Sequence, residues 1–191
     1  MSEPGPSDST DPEPDAAAWL KHFASLLDSV GLPAVLIGGQ ARNFWTEPRA
    51  TRDYDFTVPG QTEPLLALLG LLRREGYVAK REQGMEQPSG PDFVRLEHPA
   101  TGDAIDFQVS KTPFQDSVVL RARKLEPGQL LAVATPEDLI VFKLIANRHK
   151  DQVDSQDLAQ LTGLDWAYIE HWAGEWGVED RLEQLRGWLQ E

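Results

Sequence analysis

The chain has 191 residues, with 18 Lys and Arg against 31 Asp and Glu, a formal charge of −13. That acidity argues against a general nucleic-acid coat or a polybasic membrane binder, and the absence of cysteine excludes disulfides, thiolate zinc sites and cysteine nucleophiles. No apolar run approaches the roughly 18–20 residues that span a bilayer, and the opening Met-Ser-Glu-Pro carries no secretory signal, so a cytoplasmic protein of one ordinary domain, with no membrane partner, is expected.

Residues 1–14 are dominated by Pro, Ser, Asp and Glu, with no large apolar side chain after Met1, and they read as a disordered acidic tail. Asp15 then precedes an amphipathic run, Trp19, Leu20, Phe23, Leu26, Leu27 and Val30, whose spacing predicts a helix capped by Asp15 and ended by Gly31. Ala34–Ile37 is a short apolar strand running directly into Gly38-Gly39, with a short helix expected over 40–45. Residues 54–58 have strand character, stopped by Pro59-Gly60, and 62–75 carry a dense Leu face at helical spacing. Strands follow at 77–81, 92–97 and 103–109, the last two expected to form a hairpin through Pro99-Ala100-Thr101-Gly102.

Residues 114–124 are ambiguous, and 130–134 reads as another strand. Thr135-Pro136-Glu137-Asp138 is a strong helix start, an N-cap candidate followed by proline and acids, for a helix reaching about Arg148. Further helices are expected at 152–161, 165–174 and 179–190. The order defines an α+β chain, a mixed sheet flanked by helices, with a core over 15–134 and a helical C-terminal region, 135–191, packed on it.

The carboxylates are the most informative feature. Asp53 and Asp55 are two apart, so on an extended chain both point to one side, while Tyr54 and Phe56 point to the other. Asp106 lies between Ile105 and Phe107, which face a core. If the two strands pair, three carboxylates converge, and their mutual repulsion calls for a cation. Hard oxygen ligands of this kind suit Mg²⁺ or Mn²⁺. Gly38-Gly39, between a strand end and a helix start, leaves a backbone that a phosphate can approach.

On these residues the sequence resembles the nucleotidyltransferase superfamily, with its polymerase-β-like fold. The shared pattern is Gly38-Gly39, Asp53-x-Asp55 and the strand-borne Asp106. The likeness is strongest to the bacterial branch of abortive-infection-type toxin nucleotidyltransferases. There it rests on Arg49-Ala50-Thr51-Arg52-Asp53-Tyr54-Asp55, on Pro136-Glu137-Asp138-Leu139-Ile140-Val141-Phe142-Lys143, and on Lys150-Asp151-Gln152-Val153-Asp154. It covers about residues 33–160.

The resemblance implies transfer of an NMP from an NTP, such as ATP or GTP, to an acceptor that is a tRNA, a protein or a small molecule. It places Asp53, Asp55 and Asp106 at the metals, with Asp106 also taking the proton of the nucleophile. Gly38, Gly39, Arg49, Thr51, Lys143, Lys150 and Asp151 fall at the nucleotide, with Asp151 pairing with or orienting Lys143. It further implies a toxin–antitoxin pairing, with an antitoxin protein as partner. An inactive nucleotide-binding or protein-interaction module of the same fold is the alternative.

Blander readings accompany several of these residues. Lys143 can snorkel from its helix to the surface, and Asp151, Asp154 and Asp157 can be helix-start and solvated-face acids. The four histidines, at 22, 98, 149 and 171, share no ligand spacing. The stripe Trp166, Ile169, Trp172 and Trp176 reads as core or a partner surface. Most of the negative charge lies in residues 1–15 and 163–191, leaving −3 over 16–162, where Arg121, Arg123, Lys124, Lys143 and Lys150 are expected to be available for anions.

Overall fold

A computed structural model describes residues 16–190 apart from 61, 88 and 126–128. The acidic tail and the Asp15 cap therefore lie outside the described residues. The elements run α1 (Ala16–Val30), β1 (Val35–Ile37), α2 (Gly38–Arg42), β2 (Asp53–Val58), α3 (Thr62–Arg74), β3 (Val78–Gln83), β4 (Phe93–Glu97) and β5 (Ala104–Val109). They continue with α4 (Pro113–Arg121), β6 (Ala132–Val133), α5 (Pro136–Ala146), α6 (His149–Ala159), α7 (Trp166–Glu175) and α8 (Glu179–Trp188).

The strands form one six-stranded sheet in the order β3-β4-β5-β2-β1-β6. β2 and β5 pair in parallel, as do β1 and β6, while β1–β2, β3–β4 and β4–β5 are antiparallel. The mixed pairing follows from the connections: the 99–102 turn makes β4–β5 a hairpin, whereas β2 reaches β5 only after α3 and the β3–β4 pair.

Alternation along the strands gives the sheet two unlike faces. Phe56, Val94, Leu96, Ile105 and Phe107 are buried on one. There Phe23 of α1 lies 5.0 Å from the Phe56 ring, and Phe56 lies 5.9 Å from Phe107. α1 and α3 cover this side, contributing Ala24, Leu27, Leu65, Leu68, Leu69 and Leu72. Arg95, Asp106 and Gln108 occupy the alternate, half-buried positions of β4 and β5.

Four elements depart from the sequence expectation, each for a local reason. The ambiguous 114–124 stretch is helical from Pro113 because Thr112 accepts a hydrogen bond from the Gln115 N–H and a proline at N1 fixes the first turn. α2 starts on Gly38 itself, where φ is +69°, rather than beyond the glycines. α6 starts at His149, three residues early, because the Asp151 carboxylate caps the Arg148 N–H at 3.2 Å. The 130–134 strand shrinks to two residues, since β6 pairs with β1 only at Ala132 and Val133.

α5 follows the expected capping. The Thr135 hydroxyl accepts from the Asp138 N–H, while Asp138 accepts from the Thr135 N–H. α5 buries Leu139, Ile140, Val141 and Leu144, and α7 and α8 add Ile169, Ala173, Leu182 and Leu185 to the same continuous core.

Candidate active site

Strand register brings the carboxylates together. Ile37 of β1 faces Asp55 of β2, Asp55 faces Asp106 of β5, and Asp106 faces Arg95 of β4. One row therefore crosses four strands from the glycine pair to an arginine. Asp53 sits two residues along β2 on the same side.

Gly38 closes the row at its β1 end. A Cβ on Gly38 would lie 2.0 Å from Asp55 Oδ2, and its φ of +69° is one that L side chains rarely adopt. Only glycine lets the Asp55 carboxylate rest against this backbone. Gly39 is similarly confined: a Cβ there would meet Thr51 Oγ1 at 2.9 Å. Gln40 ties the same loop down, its Nε2 donating to the Thr51 carbonyl at 3.0 Å.

Arg95 is the residue that sequence reasoning missed. Its Nη1 donates to Asp106 Oδ2 at 2.8 Å and its Nη2 to Asp53 Oδ1 at 3.3 Å. The other oxygen, Asp106 Oδ1, is buried and has no hydrogen-bond partner. Arg95 thus spans Asp53 and Asp106, and no group of three or more His, Cys, Asp or Glu among the described residues is already gathered closely enough to hold a metal ion. The 99–102 turn held the signal: with His98 donating to the Asp103 carbonyl at 2.9 Å, counting outward from the loop sets Arg95 opposite Asp106.

Burial, then the charges of Asp106 and Asp53, push the Asp55 carboxyl up to about 6, against the opposing pull of Lys143 and Lys150. Asp106 is also raised, since its burial outweighs the contacts from Arg95. The row thus holds more negative charge than one guanidinium offsets.

Beside it lies a second charge cluster. Lys143 Nζ, only 6% exposed, donates to Asp151 Oδ1 at 3.1 Å and Asp154 Oδ2 at 2.7 Å. Arg49 grips Asp154 with two parallel bonds, Nε to Oδ1 at 2.8 Å and Nη2 to Oδ2 at 2.7 Å. Arg42 pairs with Asp157, and Arg148 Nε reaches Asp151 Oδ2 at 2.5 Å. Burial works to raise Asp154, but the hydrogen bonds from Arg49 and Lys143 outweigh it and hold the carboxyl at about 2. Asp151 is lowered in the same way by Arg148 and Lys143.

Lys143 therefore does not snorkel, and Asp151 and Asp154 are buried rather than solvated. The two bonds leave one ammonium donor of Lys143 uncommitted. Arg121, expected to be available for anions, is instead taken up: Nη2 bonds Glu137 Oε2 at 3.2 Å and the guanidinium lies 3.9 Å over the Tyr168 ring. Lys150 is exposed, near enough for its charge to act on Asp55.

The mixed six-stranded sheet with its flanking helices fits a polymerase-β-like fold, the fold of several solved nucleotidyltransferases. The solved structure of ANT(2")-Ia in complex with adenylyl-2"-tobramycin superposes with a TM-score of 0.60 at 16% identity, over 86% of this chain and 99% of that one. The lincosamide antibiotic adenylyltransferase LnuA, lincomycin-bound, matches with a TM-score of 0.57 at 16% identity, over 75% and 96%. The Megavirus polyadenylate synthase matches at 0.52 and 12% identity over 80% of this chain, but over only 33% of its own. No family model matches the chain, and no curated protein matches it. Among the described residues no helix is long and apolar enough to cross a membrane.

Proposed function

We propose that this chain is a divalent-metal-dependent nucleotidyltransferase that moves an NMP from an NTP to a hydroxyl-bearing acceptor. The observation that carries the reading is the side-chain-free backbone of Gly38 lying against Asp55, within a row that continues to Asp106. The donor set fits a Mg²⁺ or Mn²⁺ ion: all its ligands are hard carboxylate oxygens, one of them buried without a partner, and Asp55 is pushed toward taking up positive charge. Asp53, Asp55 and Asp106 would hold the metal, which when bound offsets the charge that develops on the reacting phosphate oxygens.

The protein's own groups do the rest. The acceptor oxygen forms a bond to the α-phosphorus as the bond to pyrophosphate breaks, and the hydroxyl proton passes to a carboxylate of the row, the role that the sequence resemblance gives to Asp106. Gly38 and Gly39, with Thr51 beneath them, admit the triphosphate to the backbone. Lys143 and Lys150 supply positive potential beside Asp55, while Asp151 and Arg49 act on the nucleotide through the cluster that fixes Lys143.

The solved neighbours named with tobramycin and lincomycin favour a small-molecule acceptor over a tRNA or a protein. The test is incubation with α-labelled NTPs, Mg²⁺ and separated pools of small molecules, RNA and protein. Label should move to one pool and vanish in Asp53→Ala/Asp55→Ala; label that survives the double substitution overturns the assignment. A toxin role with an antitoxin partner rests on the sequence resemblance, and expression in a bacterial host with and without the neighbouring gene tests it.

Arg95 favours a second reading, an inactive nucleotide-binding module in which an internal guanidinium stands where the metal would bind. Metal-independent NTP binding with no transfer to any pool supports that module.

A further inference from the structure

The open face of β3, β4 and β5 continues past the carboxylates into a cleft of about 420 Å³, lined by Arg81, Gln83, Asp92, Phe93, Gln108 and Lys111 among others. Its connection to the carboxylates is set by register. Phe93 faces Gln108 one step along the same face from the Arg95–Asp106 pair, and Arg81 of β3 faces Arg95. The size suits a small molecule.

The charges within the cleft are unequal. Asp92, the acid among its lining residues, is already engaged, 3.8 Å from Lys111 Nζ and accepting from Gln87 Nε2 at 3.2 Å. Lys111 in turn donates to the Ser89 and Gly90 carbonyls at 2.5 and 3.1 Å. Arg95 is held by Asp53 and Asp106.

Arg81 differs. Among the described residues its side chain makes no hydrogen bond or ion pair, and its guanidinium lies over the Phe93 ring, 5.4 Å from the centroid. Two guanidiniums directly opposite on adjacent strands repel, and only one of this pair has its carboxylates. Arg81 is nonetheless close enough to Asp106 for its charge to lower that group. The cleft therefore presents an aromatic platform, three neutral amides and one cation with no carboxylate partner, next to the carboxylate assigned the acceptor proton.

We propose that this cleft is the acceptor subsite, and that it takes a small molecule with a planar ring, one anionic group and a hydroxyl. The ring lies against Phe93, the carboxylate or phosphate meets Arg81, and the hydroxyl points along the face toward Asp106. A polyamine finds no free carboxylate in the cleft, and a polynucleotide, which needs several cations for its phosphates, finds in this cleft only Arg81 without a carboxylate partner among the described residues. The assignment of the cleft to an acceptor rests on the nucleotidyltransferase reading; its ligand chemistry does not.

The experiment uses the whole chain without NTP and two probes on one ring system: 6-hydroxy-2-naphthoate and the matching 2-aminomethyl compound. Fluorescence titration should show the carboxylate binding about tenfold more tightly than the amine, the scale of one charge-assisted hydrogen bond. Arg81→Gln should abolish the preference, Arg81→Glu should reverse it, and Phe93→Ala should weaken both probes. Equal binding of the two probes by the wild type, or a preference that survives Arg81→Glu, overturns the proposal. Circular dichroism of each variant checks folding. Mn²⁺-dependent binding of a fluorescent ATP analogue to the wild type is measured in parallel. Its absence sinks the nucleotidyltransferase reading, while the probe preference judges the cleft chemistry separately.

Discussion

Gly38→Ala probes the point where backbone and carboxylate meet. The substitution does two separable things. It places an L side chain at a φ of +69°, which costs about 1–2 kcal/mol, and it drives a methyl group to 2.0 Å from Asp55 Oδ2 and 2.7 Å from Asp55 Cγ. No rotamer of alanine relieves the second, so the carboxylate must swing out of the row or the strand end must shift. For a chain of this size the strain alone lowers Tm by roughly 2–8 °C. A displacement of about 1 Å at a reacting group costs on the order of a hundredfold in rate.

Gly31→Ala is the matched control, with a φ of +63° and nothing within 4 Å of the new Cβ. It carries the strain without the collision. Differential scanning fluorimetry and Mn²⁺ titration of both variants should show a loss of Tm in each, the larger in Gly38→Ala, but a loss of metal binding only in Gly38→Ala. Wild-type metal binding by Gly38→Ala would refute the claim that Asp55 depends on this bare backbone.

Three other outcomes are expected. Asp55 has a folded pKa raised to about 6 from 3.8, so the folded state holds its proton more tightly and loses stability as pH rises through that window. Asp55→Asn should therefore be more stable than wild type by about 1–2 kcal/mol at pH 7.5 in urea denaturation, with the gain gone near pH 4. Arg95→Ala removes the cation that competes for Asp53 and Asp106. Calorimetric titration should give Mn²⁺ affinity up by a factor on the order of ten, with lower Tm in chelator, and weaker Mn²⁺ binding would contradict this.

Lys143→Met leaves Asp151 and Asp154 buried with fewer partners and should cost about 2–4 kcal/mol in urea, where an effect below about 1 kcal/mol would mean that Arg49 and Arg148 suffice. The Asp154 carboxyl, held at about 2, contributes stability that is full above its ordinary range and fades as pH falls toward 2.

Local chemistry was legible in the sequence wherever one segment decides it. Thr135-Pro136 carries its own cap, Asp53-x-Asp55 its own parity, and the Pro99–Gly102 turn its own hairpin. What escaped were outcomes decided by partners far along the chain. Arg95 and Arg81 look like ordinary strand bases until the register of three strands sets one among carboxylates and leaves the other without one. Arg49 reads as a loop base near the acids, yet its carboxylate is Asp154. α4 was ambiguous because its buried residues include Gln115 as well as Phe114 and Val118, while Leu120 is exposed, which blurs the apolar stripe that periodicity relies on.

The Asp154 hub also bears on how the chain assembles. Arg49 and Asp154 are 105 residues apart, and Arg42 and Asp157 are 115 apart. Contacts of that span reward the chain only after a long loop has closed. During synthesis the glycine pair, the Asp-x-Asp strand and Asp106 all emerge while the carboxylates that neutralise Arg49 and Lys143 are still unmade. A ribosome-stalled fragment ending before residue 149 would carry every acid of the carboxylate row and none of the buried aspartates that restrain its neighbouring cations. Arg42 and Arg49 of the Gly38–Arg52 segment thus meet their carboxylates only when α6 arrives.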